Sequence, residues 1–257
     1  MRLALTGPED GPGGLGSRLR ERGVDVLPMP LLEATPPPDP GPLRRAARAL
    51  RTFGLVAFPS PRGVEALAGA LASEGVVDRH VEAIAVGRET ALRAEAAGFL
   101  VVVDGSGNER PGAEGLLGAV DAASYPVRGV RVLLPRSRRG LPDLEEGLRA
   151  RGAGVEAVEA YDVVAVPDPG VRLAGWLRSK GLPGWDPAPV LVASPSAAEA
   201  LAAGLAECGA EGGPRIALGP TTAKALRALG IPAHRVAGSP TVEGILAALA
   251  SVPGGIA

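Results

Sequence analysis

The chain has 257 residues, of which 46% are hydrophobic and only 3% aromatic, with 27 Lys+Arg against 28 Asp+Glu. That composition excludes a disordered chain and builds the core from Ala, Leu and Val; the charge balance excludes a general nucleic-acid binder, so an anionic ligand needs a local positive site. One cysteine, Cys208, excludes an intrachain disulfide framework or thiolate metal site, and with no apolar run near the roughly 18 residues of a membrane span and a start too short for a signal peptide, the expectation is a soluble cytoplasmic protein.

Taken in order, Arg2–Leu5 is predicted as a strand, Gly7–Gly14 as a Gly/Pro-rich turn, and Leu15 to Arg22 as a helix ended by Gly23. Val24–Leu27 reads as the next strand and Pro28–Leu32 as extended. The proline run Thr35–Gly41 is stiff and marks a connector. A helix follows over Leu43–Leu50, with Arg44, Arg45, Arg48 and Arg51 as its solvated face. Three strand–turn–helix units come next. Leu55–Phe58 leads through Pro59–Gly63 into Val64–Leu71; Ile84–Val86 leads through Gly87–Thr90 into Ala91–Ala97; Phe99–Val103 leads through the loop from Asp104 into Ala113–Ala122. Val130–Leu134 is a strand, Pro135–Pro142 an arginine-rich turn, and Asp143–Arg151 a helix. Val155–Val158 is a strand leading into Tyr161–Val166 and a second proline-rich piece, Pro167–Gly170.

Beyond it, Val190–Ala193 leads through Ser194–Ser196 into the helix Ala197–Leu205. Arg215–Leu218 is broken by Gly219-Pro220, after which Thr221 or Thr222 can cap a helix ended by Gly230. Val236-Ala237 and the turn Gly238–Thr241 precede a last helix, Val242–Ala250. The second half repeats the first. Phe58-Pro-Ser60-Pro matches Val192-Ala-Ser194-Pro, Ile84-Ala-Val-Gly87 matches Ile216-Ala-Leu-Gly219, and Glu114-Gly-Leu-Leu117 matches Glu243-Gly-Ile-Leu246, each about 130 positions apart. The expected fold class is therefore α/β: two similar domains, each a parallel sheet flanked by helices, with a ligand cleft between them.

The glycines Gly11, Gly13 and Gly16 have the spacing of a dinucleotide fingerprint, but Pro8-Glu9-Asp10 precede them and put carboxylates where a pyrophosphate would sit. The turns with chemistry to offer are Ser60-Pro-Arg62-Gly63, Gly87–Thr90, Ser194-Pro-Ser196 and Gly219-Pro-Thr221-Thr222. Any one of these hydroxyls could simply cap a helix. Together, four helix starts at strand carboxyl ends form a face of N–H and hydroxyl donors suited to an anion. Arg136, Arg138 and Arg139 place three guanidinium groups after a strand, either as a solvated charge run or as carboxylate forks. Tyr161, one of two tyrosines, reads as a half-buried hydroxyl at a hinge. No role falls to His80 or His234.

Taken together, the turns resemble uroporphyrinogen-III synthase. The resemblance covers nearly the whole chain. It rests on Ser60-Pro-Arg62, Leu133-Leu-Pro-Arg136, Val158-Glu-Ala-Tyr161, Ser194-Pro-Ser196, Leu218-Gly-Pro-Thr-Thr222 and Ser239-Pro-Thr-Val-Glu-Gly244. It implies a discontinuous first domain of residues 1–34 and 168–257, a second of 42–160, and connectors at 35–41 and 161–167. It implies a monomeric, cofactor-free and metal-free lyase acting on hydroxymethylbilane, a linear tetrapyrrole bearing acetate and propionate groups. Water is lost, the terminal pyrrole ring attacks through its substituted carbon, and a spiro intermediate closes with that ring inverted to give uroporphyrinogen III. It implies that Tyr161 assists departure of the hydroxyl, and that Ser60, Arg62, Gly63, Gly87, Arg136, Ser194, Ser196, Gly219, Thr221 and Thr222 bind substrate. The family commonly has Thr-Arg after its first strand, where this chain has Thr6-Gly7-Pro8. The rival from another class is a non-catalytic two-domain protein that binds or senses a small anion.

Overall fold

The computed structural model describes residues 1–7, 14–77, 80–107, 112–179, 188–210 and 212–252. Gly11 and Gly13 of the glycine triplet therefore lie outside the described residues. In chain order the elements are β1 (Arg2–Leu5), α1 (Leu15–Glu21), β2 (Asp25–Pro28), β3 (Leu32–Thr35), α2 (Gly41–Arg48), a single 3-10 turn (Leu50–Thr52), β4 (Leu55–Phe58), α3 (Pro61–Ser73), β5 (Glu82–Ala85), α4 (Arg88–Ala96) and β6 (Leu100–Asp104). They continue as α5 (Ala113–Ala122), β7 (Arg131–Ser137), α6 (Asp143–Ala150), β8 (Gly154–Ala165), α7 (Pro169–Ser179), β9 (Val190–Val192), α8 (Pro195–Cys208), β10 (Arg215–Ala217), α9 (Pro220–Ala228), β11 (Arg235–Val236) and α10 (Val242–Ala250). No helix among the described residues is long and apolar enough to cross a membrane.

The chain divides into two compact units, residues 35–163 and residues 1–34 with 164–257. In the continuous unit β4 is buried along its whole length. Val56 and Phe58 join a core with α2, α3 and α4, while Leu55 and Ala57 join a core with α5 and α6. A strand covered on both faces needs a continuous apolar run, which Leu-Val-Ala-Phe supplies. The sheet order is β3-β8-β7-β4-β5-β6, and the registered pairs from β8 to β6 are all parallel.

The discontinuous unit holds a parallel sheet in the order β11-β10-β9-β1-β2. Leu3, Leu191 and Ile216 face a core with α1 and α10, and α8 packs between α7 and α9. This order is β6-β5-β4-β7-β8 over again, with β9, β10 and β11 in place of β4, β5 and β6. The copies differ in where the chain enters: β1-α1-β2 comes first, although its counterpart β7-α6-β8 comes last.

The stretch 161–167 includes the end of β8 as far as Ala165, one strand continuous from Gly154. In the stretch 35–41, Thr35 belongs to β3 and Gly41 begins α2. Two expectations are corrected. The arginine-rich turn begins later than expected, because β7 runs through Pro135 and Arg136 to Ser137. Register with β4 covers only Val132 and Leu133, so Pro135 lies past the paired part on that side, where a missing N–H costs nothing. The helix α7 was not anticipated. Pro167 and Pro169 read as breakers, yet Pro169 opens the helix, where its N–H would have no partner anyway.

Candidate active site

Within the continuous unit, β4 and β7 are neighbours whose following helices leave to opposite faces. The helix α3 packs with Val56 and Phe58, and α6 with Leu55 and Leu134. The carboxyl ends of such a pair open a crevice, the usual ligand position in an open parallel sheet. A cavity of about 720 Å³ lies there, with Ser60, Val86, Leu134, Arg136 and Tyr161 among its walls.

Ser60 closes β4 and caps α3. Its Oγ accepts from the N–H of Gly63 at 3.2 Å and lies 2.8 Å from the Tyr161 hydroxyl. Accepting from Gly63 occupies one lone pair of Ser60. Whichever way the Ser60–Tyr161 bond is oriented, two hydroxyl protons share one bond, and one proton stays available to an acceptor in the cavity. Gly63 is a position of close approach. A Cβ there would meet the carbonyl oxygen of Pro135 at 2.6 Å, so the first turn of α3 rests against the backbone of β7. Its N–H is already taken by Ser60. Arg62 is half-buried in the same turn.

Arg136 is braced by its own loop. Nη1 donates to the carbonyls of Ser137 at 3.3 Å and Gly140 at 3.1 Å. Nε is shut off from solvent and makes no hydrogen bond among the described residues. Glu145 stands 3.7 Å from that nitrogen, while its other oxygen pairs with Arg149 at 2.6 Å. Two guanidinium groups thus share one carboxylate. Arg138 and Arg139 turn elsewhere, both to the buried carboxylate of Asp162 at 3.8 and 3.9 Å. Gly87 starts α4 with an extended backbone and nothing within 4 Å of a Cβ position. The order of the parallel sheet puts that start at the same carboxyl edge as Ser60.

In the discontinuous unit the equivalent edge carries Ser194 and Ser196 at α8 and Gly219, Thr221 and Thr222 at α9. Ser194 caps α8, accepting from Ala197 N at 3.1 Å, and half-buried Ser196 follows it. Neither Thr221 nor Thr222 caps α9, contrary to expectation. Gly219 is the cap residue and Pro220 the first helical one, which moves Thr221 and Thr222 into the helix. Thr222 is buried and Thr221 exposed. Thr6 is fully buried after β1 and donates to the carbonyl of Leu191 at 3.2 Å. Sequence reasoning gave no role to Thr241, whose Oγ1 accepts from Gly244 N at 3.2 Å and lies 2.8 Å from Ser239 Oγ. The pattern of a hydroxyl three residues before a glycine, shared with Ser60 and Gly63, was the available signal. Glu145 and Leu141 carried no local signal. Among the described residues no group of three or more His, Cys, Asp or Glu side chains could hold a metal ion.

Fold and site together define a class: an α/β protein of two like units, with a cavity at the carboxyl edge of one sheet lined by hydroxyls and a guanidinium among its described residues. The family model for uroporphyrinogen-III synthase HemD matches residues 14–247, and the chain belongs to that family. It is a cyclising lyase of tetrapyrrole synthesis. In fold it is similar to uroporphyrinogen-III synthetase from Helicobacter pylori, at 19% identity and TM-score 0.61 over 98% of this chain and 100% of that one. It is also similar to a mutant uroporphyrinogen III synthase from the extremely thermophilic bacterium Thermus thermophilus, at 24% identity and TM-score 0.53 over 98% and 99% of the two chains. No curated protein sequence matches the chain.

Proposed function

We propose that the chain takes hydroxymethylbilane as a soluble cytoplasmic monomer, without cofactor or nucleic acid, and that Tyr161 is its catalytic residue. The observation that carries this is the Ser60–Tyr161 hydroxyl pair, 2.8 Å apart on the wall of the cavity. The carbon–oxygen bond of the substrate's hydroxymethyl group breaks, the departing oxygen takes up a proton as water, and a pyrrole nitrogen stabilises the cation left behind. The spare proton of the Ser60–Tyr161 pair is the donor that helps the hydroxyl leave. The terminal ring then attacks through its substituted carbon, and the spiro intermediate reopens and closes with that ring inverted.

The remaining task is conformational, since an unguided chain closes without inversion. Arg62, Gly87 and Arg136 supply donors for the substrate's carboxylates, with Gly63 holding the α3 start in place. Ser194, Ser196, Gly219, Thr221 and Thr222 supply a second set. We assign the passages between the units to residues 35–41 and 161–167. The test is Tyr161→Phe, which removes one neutral hydrogen bond, about 0.5–1.5 kcal/mol or roughly twofold to tenfold in rate. The expected result is slower formation of inverted product with unchanged affinity for a porphyrinogen. An unchanged rate removes Tyr161 from the chemistry.

A further inference from the structure

Strand β8 carries an irregularity beside Tyr161. Its pairing with β7 sets Arg136 opposite Glu159 but Ser137 opposite Tyr161, so β8 holds one residue more than β7 at this point. In a regular strand successive side chains leave to opposite faces. Here Val158 and Ala160 belong to the core shared with α2, α3 and α4, and Tyr161, the very next residue, packs against that same core. The slip is what brings the Tyr161 hydroxyl to within 2.8 Å of Ser60. A bulge that re-aims a side chain has to be held, because its extra residue has no ladder partner.

The next residue is Asp162, 5% exposed and carrying a carboxylate. One oxygen accepts the backbone N–H of Val163 at 2.8 Å and lies 3.9 Å from Arg139 Nε, and the other lies 3.8 Å from Arg138 Nη1. Both arginines belong to the turn that follows β7. The backbone N–H of Arg138 donates to the carbonyl of Tyr161 at 2.9 Å. Arg138 Nε also stands 3.9 Å from Glu159, on the exposed side of the strand. These distances exceed hydrogen-bond length, so what acts between the side chains is charge. A buried carboxylate is costly unless positive charge lies close to it. Tyr161 is joined to Asp162 by the chain and to Arg138 by the backbone bond, so it cannot slide along β7 without separating those charges. Asp162 is not among the described residues that wall the cavity.

We infer that Asp162 is a positioning residue for the cyclisation: its carboxylate pins the bulge of β8 to the arginine turn after β7 and so sets the aim of the Tyr161 hydroxyl. The reading rests on the function proposed above. Asp162 acts through Tyr161 and not on the substrate.

The experiment pairs a kinetic cycle with a spectroscopic signature in the full chain. Asp162→Asn keeps the shape and the acceptor for Val163 N–H and removes the charge. It is expected to lower kcat for inverted product about threefold with KM unchanged. In a Tyr161→Phe background the same substitution is expected to cost nothing further, because the two residues act as one. Losses that multiply overturn the proposal. The chain has two tyrosines, so protein made with 3-fluorotyrosine gives two fluorine resonances, and Tyr161→Phe identifies one of them. Asp162→Asn is expected to move the Tyr161 resonance and leave that of Tyr125 in place; an unmoved Tyr161 resonance overturns the proposal. Arg138→Gln combined with Arg139→Gln removes the facing charges from exposed side chains and is expected to move the same resonance, which decides the matter should Asp162→Asn fail to fold. The two inferences fail separately. Tyr161→Phe turning over at the parent rate defeats the catalytic assignment of Tyr161, whereas a slowed Tyr161→Phe beside an Asp162→Asn of parent rate defeats Asp162 alone.

Discussion

Replacing Gly63 by alanine puts a methyl group 2.6 Å from the carbonyl oxygen of Pro135. A comfortable separation is about 3.5 Å, so the two must part by about 0.9 Å. The obstacle is the backbone of β7, paired at Pro135 with Val158 of β8, and it cannot rotate aside as a side chain would. Overpacking of this kind costs about 1–3 kcal/mol, and because the obstacle is backbone the cost here falls in the upper part of that range, about 2–3 kcal/mol. Alanine returns up to about 1 kcal/mol over glycine within a helix, which leaves about 1–2 kcal/mol of net destabilisation. With a urea dependence near 2 kcal/mol per molar, the unfolding midpoint of the unit falls by about 0.5–1 M. The same displacement moves the cap, since Gly63 N–H is the donor that Ser60 Oγ accepts, and turnover falls with stability. Gly87→Ala is the comparison. Its backbone is extended at φ −167°, and nothing lies within 4 Å of the new methyl, so its stability stays within about 0.5 kcal/mol of the parent. Equal midpoints for Gly63→Ala and the parent would refute the close seating of α3 on β7.

Thr241→Ala removes the acceptor for Gly244 N–H and the partner of Ser239, and costs about 1 kcal/mol in urea unfolding of the discontinuous unit. His234 supplies a pH dependence. Its Nδ1 accepts the backbone N–H of Arg215 at 3.1 Å, and partial burial together with Arg215 and Arg235 pushes its pKa below the ordinary 6.5. The unfolded chain therefore takes up the proton first. Stability from this group is complete above pH 6.5 and is lost as pH falls from there through the lower folded value. The urea midpoint is expected to drop between about pH 7.5 and about pH 5.5, and His234→Asn to flatten that slope; an equal slope in the variant would remove the assignment.

Legibility in the sequence followed how local the cause was. The run Leu55–Phe58 is bounded by Gly54 and Pro59, and its length and apolar character can be read without knowing which elements cover it. The Ser60 cap was legible for the same reason, since its acceptor and donor are three residues apart. Where two local signals competed, the reading failed. Pro220 claimed the first helical position and left Thr221 and Thr222 without the capping role. Pro135 looked like the end of a strand because nothing in its neighbourhood says that β4 stops pairing two residues before it. Tertiary partners were illegible altogether. Tyr161 could be picked out as a lone tyrosine near a boundary, but its bond to Ser60 spans 101 positions. Glu145 reaches Arg136 only because β7 and α6 are adjacent in space. The close approach of Gly63 to Pro135 likewise depends on a strand added about 70 residues later in the chain.

The most direct measurement is the isomer composition of the porphyrinogen formed from freshly prepared hydroxymethylbilane, followed as the protein concentration is raised. Spontaneous closure gives the uninverted ring and competes in every sample. Cyclisation with inversion requires the inverted isomer to rise with protein until it dominates. A product that stays uninverted at every protein concentration would contradict it.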